Sequence, residues 1–360
     1  MSSTVSLGLP TVERRTAVRR QQQRPDSPFL IDTHGRRAID LRVSLTDKCN
    51  LRCTYCMPAE GLDWLPGSQL LTDAELVRLI GIATGLLGID EVRFTGGEPL
   101  LRKGILDIIR AVGQLPERPR MSLTTNGVGL ARRAADFKEA GLDRINVSLD
   151  TLDRERFVAL TRRDRMSDVI AALEAASAAG LTPVKINTVL MRGVNDHEAA
   201  DLLSFALQRG YQLRFIEQMP LDAGHAWDRG TMVTADEIQA GISARYRLRP
   251  HAAPRNGAPA ELFDVHDDAG ALLGTVGIIA SVSRPFCGDC DRTRLTADGQ
   301  IRSCLFSRTE TDLRDLLRTG ATDRQIADVW REAMWGKLPG HGIADPSFLQ
   351  PDRPMSSIGG

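Results

Sequence analysis

Apolar and polar positions follow two alternating periods through the middle of the chain, and the pattern predicts strands separated by helices. Short β-branched and apolar runs predict strands at 39–45, 90–95, 119–125, 144–149, 183–190 and 212–217. Stretches of helical periodicity predict helices at 72–87, 102–114, 130–140, 167–179 and 196–209. Such alternation implies right-handed connections and a parallel sheet. Six strands are too few for a complete eight-stranded barrel, so the pattern predicts either a partial barrel or a doubly wound sheet.

Two helix ends carry recognisable signals. Thr72 followed by Glu75 predicts a capping box at the first helix. Gly180 directly after the 167–179 stretch predicts a glycine at the C-terminal end of that helix.

The pattern changes after residue 220. Residues 250–260 predict a loop, 271–283 and 293–306 predict short strands with a turn at Asp298-Gly299, and 311–336 predicts helix. The four predicted parts are an N-terminal extension (1–28), an α/β domain (29–220), a C-terminal domain (221–338) and a tail (339–360). The extension is Arg-rich without an apolar segment, which predicts a disordered extension of a cytoplasmic protein or, alternatively, an organellar transit peptide.

Charge and composition narrow the function classes. Lys+Arg and Asp+Glu are balanced at 46 each among 360 residues, which argues against a polyanion-binding protein and predicts no nucleic-acid partner. No apolar run reaches the roughly 18 residues of a membrane span, so no membrane association is predicted.

All six cysteines belong to two triads. Cys49, Cys53 and Cys56 have C-x3-C-x2-C spacing, and Cys287, Cys290 and Cys304 have C-x2-C-x13-C spacing. Without a secretory signal, disulfides are not expected, and the triads indicate metal. Three thiolates can hold three irons of a [4Fe–4S] cube and leave the fourth iron open for a small molecule. Zinc is the alternative, and it needs a fourth ligand, for which His34, His266 and His341 are candidates.

Polar residues recur on the predicted strands or just after them, where barrel enzymes build their sites. They are Arg93, Thr124, Asn126, Ser148, Asp150, Lys185, Glu217 and, beside them, Met219. Arg292 and Arg294 share one face of a predicted strand and can grip phosphates, although an exposed basic face is the alternative. Gly96-Gly97-Glu98-Pro99 after the second strand indicates a turn.

The first triad, as Cys49-Asn-Leu-Arg-Cys53-Thr-Tyr-Cys56, resembles the signature of radical S-adenosylmethionine (SAM) enzymes. From about residue 36 to 360 the chain is similar to the GTP 3',8-cyclase family, which begins molybdenum cofactor biosynthesis. The motifs that carry this resemblance are Arg42, the first triad, Arg93, Gly96-Gly97-Glu98-Pro99, residues 123–127 and 146–150, Lys185, residues 214–217, Met219, the second triad with Arg292-Thr293-Arg294, and Gly359-Gly360.

The resemblance implies a partial (β/α)6 TIM-type barrel with a C-terminal α+β domain that carries a second iron–sulfur cluster. The first triad would hold the [4Fe–4S] cluster that binds SAM, and the second triad a [4Fe–4S] cluster that binds GTP. Reductive cleavage of SAM would give a 5'-deoxyadenosyl radical that takes hydrogen from C3' of GTP. The C3' radical would then attack C8 of guanine and give 3',8-cyclo-7,8-dihydro-GTP.

The resemblance also implies roles for individual residues. Tyr55, Gly97, Ser148 and Met219 would contact SAM. The GTP contacts would be Arg42, Arg93, Thr124, Lys185, Arg292, Thr293 and Arg294. The terminal Gly359 and Gly360 would reach the active site and act in the radical step. The implied partners are an electron donor such as flavodoxin or ferredoxin, a second copy in a homodimer, and cyclic pyranopterin monophosphate synthase as the next enzyme.

Two other functions remain open from the sequence. One is a different radical SAM enzyme with an auxiliary cluster, such as a peptide-modifying enzyme, although those usually have more C-terminal cysteines. The other is a metal-binding sensor module without enzymatic activity.

Overall fold

The computed structural model describes residues 23–359, and most of their strands join one sheet of twelve. A separate two-stranded sheet, β1 (Leu30–Ile31) and β2 (Arg37–Ala38), precedes it. The six central strands are β3 (Asp40–Ser44), β4 (Glu91–Thr95), β5 (Arg120–Thr125), β6 (Arg144–Ser148), β7 (Lys185–Val189) and β8 (Gln212–Ile216). Each pairs in parallel with the next along the chain. Because every connection advances by one strand in the same direction, the sheet winds as a partial barrel and not as a doubly wound sheet.

The C-terminal strands extend both edges of this barrel. They are β9 (Arg247–Pro250), β10 (Glu261–His266), β11 (Leu272–Ile279), β12 (Arg292–Leu295), β13 (Gln300–Arg302) and β14 (Thr311–Asp312). β11 pairs in parallel with β8, and β12 pairs in parallel with β3. The division of the chain at residues 220 and 338 stays a prediction, since strands from both sides of residue 220 share the sheet.

Most of the helices cover the outside of the sheet. The helices are α1 (Asp73–Leu87), α2 (Ile105–Gly113), α3 (Ala134–Glu139), α4 (Arg154–Thr161), α5 (Met166–Ala178), α6 (Ala199–Gln208), α7 (Ala235–Ser243), α8 (Arg314–Arg318), α9 (Asp323–Trp335) and α10 (Met355–Ile358). Of these, α4 and α10 contribute residues to the inner cavity of the sheet. The capping box between Thr72 and Glu75 is present. Gly180 follows α5 with φ 72°, so the glycine end predicted there is also present.

The helical predictions need correction at several places, and the short α10 in the tail was also not predicted. The predicted helix 311–336 is two helices, because Gly320 adopts φ 83° between α8 and α9, and its first residues form β14. The prediction missed α4, which turns only a short apolar stripe toward the core. It also missed α7, although Thr234 and Glu237 form a capping box that the sequence signals.

Alternation along the strands separates an apolar outer face from a polar inner face. Leu41 and Val43 of β3, like Val92 and Phe94 of β4, are fully buried against the helices. Arg42 and Arg93, at the intervening positions, therefore lie on the inner face. Parallel strands covered on both sides are usually apolar on both faces. The polar inner face marks the barrel interior as the place for a site.

The first described residues of the chain pack against the outside of the barrel. Arg24 forms an ion pair with Glu332 of α9 at 2.7 Å, so residues 23–28 pack beside that helix. The prediction for residues 1–22 falls outside the described residues. Within residues 23–359, no helix is both long and apolar enough to cross a bilayer.

Glu217 joins the end of β8 to the C-terminal part of the chain. Its side chain is fully buried and accepts hydrogen bonds at 2.8 Å from the backbone N–H groups of Ala235, Val282 and Ser283. We expect Glu217→Ala to lower the free energy of unfolding by roughly 2–5 kcal/mol, because buried donors would lose their acceptor. Urea unfolding of the full chain measures this change.

Glu139→Ala is the matched control, since Glu139 is exposed near the end of α3 and should change stability by no more than about 0.5 kcal/mol. Equal unfolding midpoints for the two variants would contradict the role of Glu217.

Candidate active site

A cavity of about 320 Å³ lies inside the barrel, and both cysteine triads face it. It also collects most of the other predicted site residues from different strands. Those at its wall are Arg42, Tyr55, Arg93, Gly97, Thr124, Ser148, Met219, Arg292 and Arg294. The fold thus brings residues more than 250 positions apart, such as Arg42 and Cys304, to one cavity.

The triads lie at opposite ends of one pair of strands. Cys49 follows β3, whereas Cys290 precedes β12, and the two strands are parallel with Arg292 opposite Asp40 and Arg294 opposite Arg42. About four residues at roughly 3.3 Å each separate the two ends, which is about 13 Å. A molecule in the cavity can therefore contact both triads or lie between them.

The first triad sits on a loop that the Arg162 side chain at the end of α4 holds in place. Arg162 adopts φ 56° at the end of α4 and donates to the carbonyls of Arg52 and Met57 at 3.0 Å. Burial raises the pKa of Cys49 to about 11 and of Cys56 to about 12. Since thiolates are the form that binds metal, metal must displace protons here at neutral pH.

The second triad has a different electrostatic environment. Cys287 and Cys290 belong to a short turn before β12, and Cys304 follows β13. Burial opposes ionisation of Cys290, but the charges of Arg292 and Lys337 lower its pKa to about 7. The thiol of Cys290 therefore ionises more readily than the thiols of Cys49 and Cys56.

The donor set of each triad fits a cube-type cluster better than a single zinc ion. His341 lines the cavity, but its Nε2 lies 2.9 Å from the carbonyl oxygen of Ser281 and its Nδ1 accepts from the N–H of Ile343 at 3.1 Å. His34 and His266 are not at the cavity wall. Among residues 23–359, no three His, Cys, Asp or Glu side chains are close enough to hold one metal ion. In a cube the three thiolates bind three different irons and need not converge on one point.

The glycine pair after β4 has a packing explanation. A Cβ at Gly97 would lie 2.3 Å from the carbonyl oxygen of Lys48, and Gly96 adopts φ 146° beside Thr46. The backbone that leads into Cys49 therefore packs directly on these glycines. Glu98 then accepts from the hydroxyl of Thr125 and the N–H of Asn126, both at 2.7 Å, and fixes the ends of β4 and β5 together.

Tyr55 is held by a partly buried hydrogen bond. Its hydroxyl donates to Asp150 at 2.8 Å, and the second oxygen of Asp150 accepts from the N–H of Val189 at 2.9 Å. Burial raises the pKa of Asp150 to about 6. The ring of Tyr55 is thus held between the first triad and the ends of β6 and β7.

The cavity wall carries an excess of positive charge. In the described chain its arginines are Arg42, Arg93, Arg214, Arg292 and Arg294. Asp40 pairs with Arg42 at 3.2 Å and lies 3.6 Å from Arg93. Arg93 Nε, Arg214 Nε and Asn187 Oδ1 are buried without a hydrogen-bond partner among the described residues. Buried polar atoms are normally paired, so these groups indicate a polar, anionic ligand.

The C-terminal tail enters the same region. Arg294 donates to the carbonyl oxygen of Gly359, and Gly359 adopts φ 82°. A Cβ there would lie 2.7 Å from Cγ2 of Thr95, so only glycine fits. Gly360 lies outside the described residues.

The comparisons with known proteins agree with this geometry. Residues 43–206 match the Radical SAM superfamily, and residues 211–343 match Molybdenum Cofactor Synthesis C. The chain is 58% identical over 361 residues to the GTP 3',8-cyclase of Mycobacterium marinum, with 99% of this chain and 100% of the relative covered. It is 60% identical over 336 residues to that of Corynebacterium glutamicum, with 92% and 89% covered. The chain belongs to the GTP 3',8-cyclase family.

Solved structures support the same fold. Streptococcus suis SuiB bound to S-adenosylmethionine superposes with a TM-score of 0.55 and 14% identity, over 86% of this chain and 68% of SuiB. At this identity the likeness shows the radical SAM fold alone.

Two residues that the resemblance implied for GTP lie outside the cavity wall of this cyclase-family chain. Thr293 points to the opposite face of β12, where its hydroxyl accepts from Trp330 Nε1 at 3.1 Å. Lys185 lies on the inner face of β7, two residues before Asn187, where burial and the charges of Arg214 and Arg93 lower its pKa.

The sequence analysis gave no site role to several wall residues, among them Asn187 and Arg214, although Arg214 belongs to the motif at residues 214–217. Their signal was available, because each occupies an inward position of a predicted strand. Arg214 donates to Asn146 Oδ1 at 2.8 Å, which orients it across the barrel.

The tail of this family member is anchored by Arg353, which gives a direct test. Its guanidinium binds Asp298 at 2.7 and 3.0 Å and Glu310 at 2.9 Å. We expect Arg353→Met to speed hydrogen exchange at 355–358 roughly 5- to 150-fold, or about 1–3 kcal/mol of local stability. Exchange mass spectrometry measures this change. Asp352→Ala, an exposed neighbour, should leave the rates unchanged, and equal rates in both variants would contradict the anchor.

Proposed function

We propose that the cavity is the active site and that its two cysteine triads hold two [4Fe–4S] clusters. The protein has the activity of its family: it converts GTP to (8S)-3',8-cyclo-7,8-dihydroguanosine 5'-triphosphate, the first step of molybdenum cofactor biosynthesis. It is a radical SAM enzyme with a [4Fe–4S] cluster and SAM as cofactors. The observation that carries the proposal is that all six cysteines and five buried arginines face one cavity.

At the first triad, Cys49, Cys53 and Cys56 would hold the cluster. When bound, the cluster and SAM supply a one-electron reductive cleavage that starts the radical reaction. We assign the SAM contacts to Tyr55, Gly97, Ser148 and Met219, all at the cavity wall. The hydrogen bond between Tyr55 and Asp150 orients the ring before any ligand binds, and this lowers the entropic cost of binding.

At the second triad, Cys287, Cys290 and Cys304 would hold the cluster that binds the guanine end of GTP. The triphosphate carries about four negative charges, and the buried arginines offer fixed, bidentate donors for it. We assign the GTP contacts to Arg42, Arg93, Thr124, Lys185, Arg292 and Arg294. Thr293 is left out, since its hydroxyl is bound to Trp330 on the other face of the strand.

The tail completes the enclosure. Gly359 already contacts Arg294 in a space too narrow for a side chain, and we assign it with Gly360 to the radical step as a backbone element that positions the substrate. An enclosed cavity also keeps a carbon radical from solvent and from stray C–H bonds.

The remaining partners follow from the reaction. A low-potential donor such as flavodoxin or ferredoxin would deliver the electron, and cyclic pyranopterin monophosphate synthase would receive the product. We further propose a cytoplasmic homodimer. Anaerobic incubation with GTP, SAM and dithionite, followed by product analysis, tests the activity, and absence of the cyclised nucleotide would contradict it.

Substitutions of single cysteines should distinguish the roles of the two triads. Cys53→Ala should abolish SAM cleavage, whereas Cys290→Ala should retain part of it and lose GTP cyclisation, because the triads lie at opposite ends of the cavity. Deoxyadenosine and cyclised GTP are measured in the same anaerobic reaction. About eight irons in the wild type and about four in each variant are the control for cluster loss. Normal cyclisation by Cys290→Ala would refute the role of the second triad.

The second prediction concerns pH. Burial, with the charges of Arg214, Arg144 and Arg93, lowers the pKa of Lys185 to about 7, so its ammonium is charged below pH 7 and neutral above it. Bound phosphates favour the charged form and raise this pKa. GTP affinity should therefore fall between pH 7 and 9, by up to about tenfold per unit at the steepest point.

Calorimetry across this range measures the fall, and Lys185→Arg is the control, because a guanidinium stays charged. The arginine variant should show a shallower slope than the wild type. Identical slopes would remove Lys185 from the GTP site.

A further inference from the structure

Lys337 is a lysine buried beside the second triad. It lies just after α9 and is 3% exposed, which is rare for lysine unless its charge is paired. Its Nζ donates to the carbonyl oxygens of Cys290 at 3.0 Å and Arg292 at 2.9 Å, and to Sγ of Cys290 at 3.3 Å.

These three contacts use all three donors of the ammonium. Two of the acceptors are neutral carbonyls, and in the chain from 23 to 359 no carboxylate forms an ion pair with Nζ. The sulfur of Cys290 is therefore the acceptor that can carry the opposing negative charge.

The surrounding structure holds this lysine in place. Trp330 of α9 donates to Thr293 beneath β12, and the N–H of Lys337 donates to Met334 at 3.0 Å. On the other side, the Arg36 guanidinium donates to the carbonyls of Leu338 at 2.6 Å and Cys287 at 2.6 Å. The segment after α9 is thus tied to the turn that carries the second triad, and this places Nζ beside Cys290.

The first triad has no equivalent cation on its sulfurs among the described contacts. Its side-chain donors are neutral: Nδ2 of Asn126 lies 3.8 Å from Sγ of Cys49, and the hydroxyl of Tyr55 hydrogen-bonds the sulfur of Cys53. A sulfur of the second triad therefore accepts a hydrogen bond from a cation, whereas the side-chain donors to the first triad are neutral.

We propose that Lys337 is a positioning residue for the second cluster, whose charged N–H···S hydrogen bond to Cys290 stabilises cluster binding and makes that cluster easier to reduce. The inference rests on the second cluster of the proposed function. One-electron reduction adds negative charge to a cluster, and an adjacent ammonium favours the reduced form. Hydrogen bonds to the ligand sulfurs and local charge are among the protein features that set such potentials.

The test uses the full-length reconstituted enzyme and three variants. Lys337→Met removes the charge at similar length, Lys337→Arg keeps it, and Lys103→Met removes an exposed lysine as the matched control. Iron and sulfide content and a redox titration followed by electron paramagnetic resonance are measured for each. The Cys53→Ala protein, which keeps the second triad, identifies which transition belongs to the second cluster.

We expect Lys337→Met to shift the second transition to more negative potential by about 59 mV, a tenfold change in the one-electron equilibrium. Its affinity for the second cluster should fall about 10- to 100-fold. Lys337→Arg should stay near the wild type, and Lys103→Met should match it. An unchanged potential and iron content in Lys337→Met would overturn the inference.

Two further outcomes are decisive. If Lys337→Met keeps only about four irons while Lys337→Arg keeps about eight, the positioning role of the charge is supported. If Lys337→Arg also keeps only about four irons, the charge is not what holds the cluster and the inference fails. About four irons in the wild type would instead refute the second cluster of the proposed function.

Discussion

The parallel pairing of β12 with β3 is the constraint on which the rest of the structure depends. It joins residues 292–295 to residues 40–43, and it places the second triad at one end of the pair and the first triad at the other. The same register sets Arg294 beside Arg42, so two guanidinium groups are direct neighbours across the strands. The cavity, its charge and the route of the tail all follow from this one pairing.

This pairing of like charges destabilises the protein when no ligand is bound. Like charges opposite each other on a sheet destabilise it, and burial with the charges of Arg42 and Arg292 lowers the pKa of Arg294 to about 9. Asp40 offsets part of the repulsion through its ion pair with Arg42. The rest of the positive charge remains at the cavity wall, and conflicts of this kind between stability and charge are expected at functional sites.

Several groups that face the cavity are held in place by a second residue behind them. Asp150 orients Tyr55, Glu98 ties the strand ends under the first triad, and Arg36 ties the segment carrying Lys337 to the second triad. Such supporting contacts link elements far apart in sequence. No local sequence pattern indicates such contacts. Arg36 and Lys337 therefore did not stand out in the sequence, whereas the cysteine spacings did.

The sequence by itself determined the six central strands, the capping box at Thr72, the grouping of the cysteines and the family, because periodicity and motif spacing are local properties of the chain. Only the tertiary structure decided that Thr293 faces Trp330 while Arg292 and Arg294 face the cavity, that His341 is occupied by backbone partners, and that Gly359 lies against Thr95. These outcomes depend on strand pairings and packing between residues tens to hundreds of positions apart. A one-residue change of register would reverse them, since alternate side chains on a strand point to opposite faces.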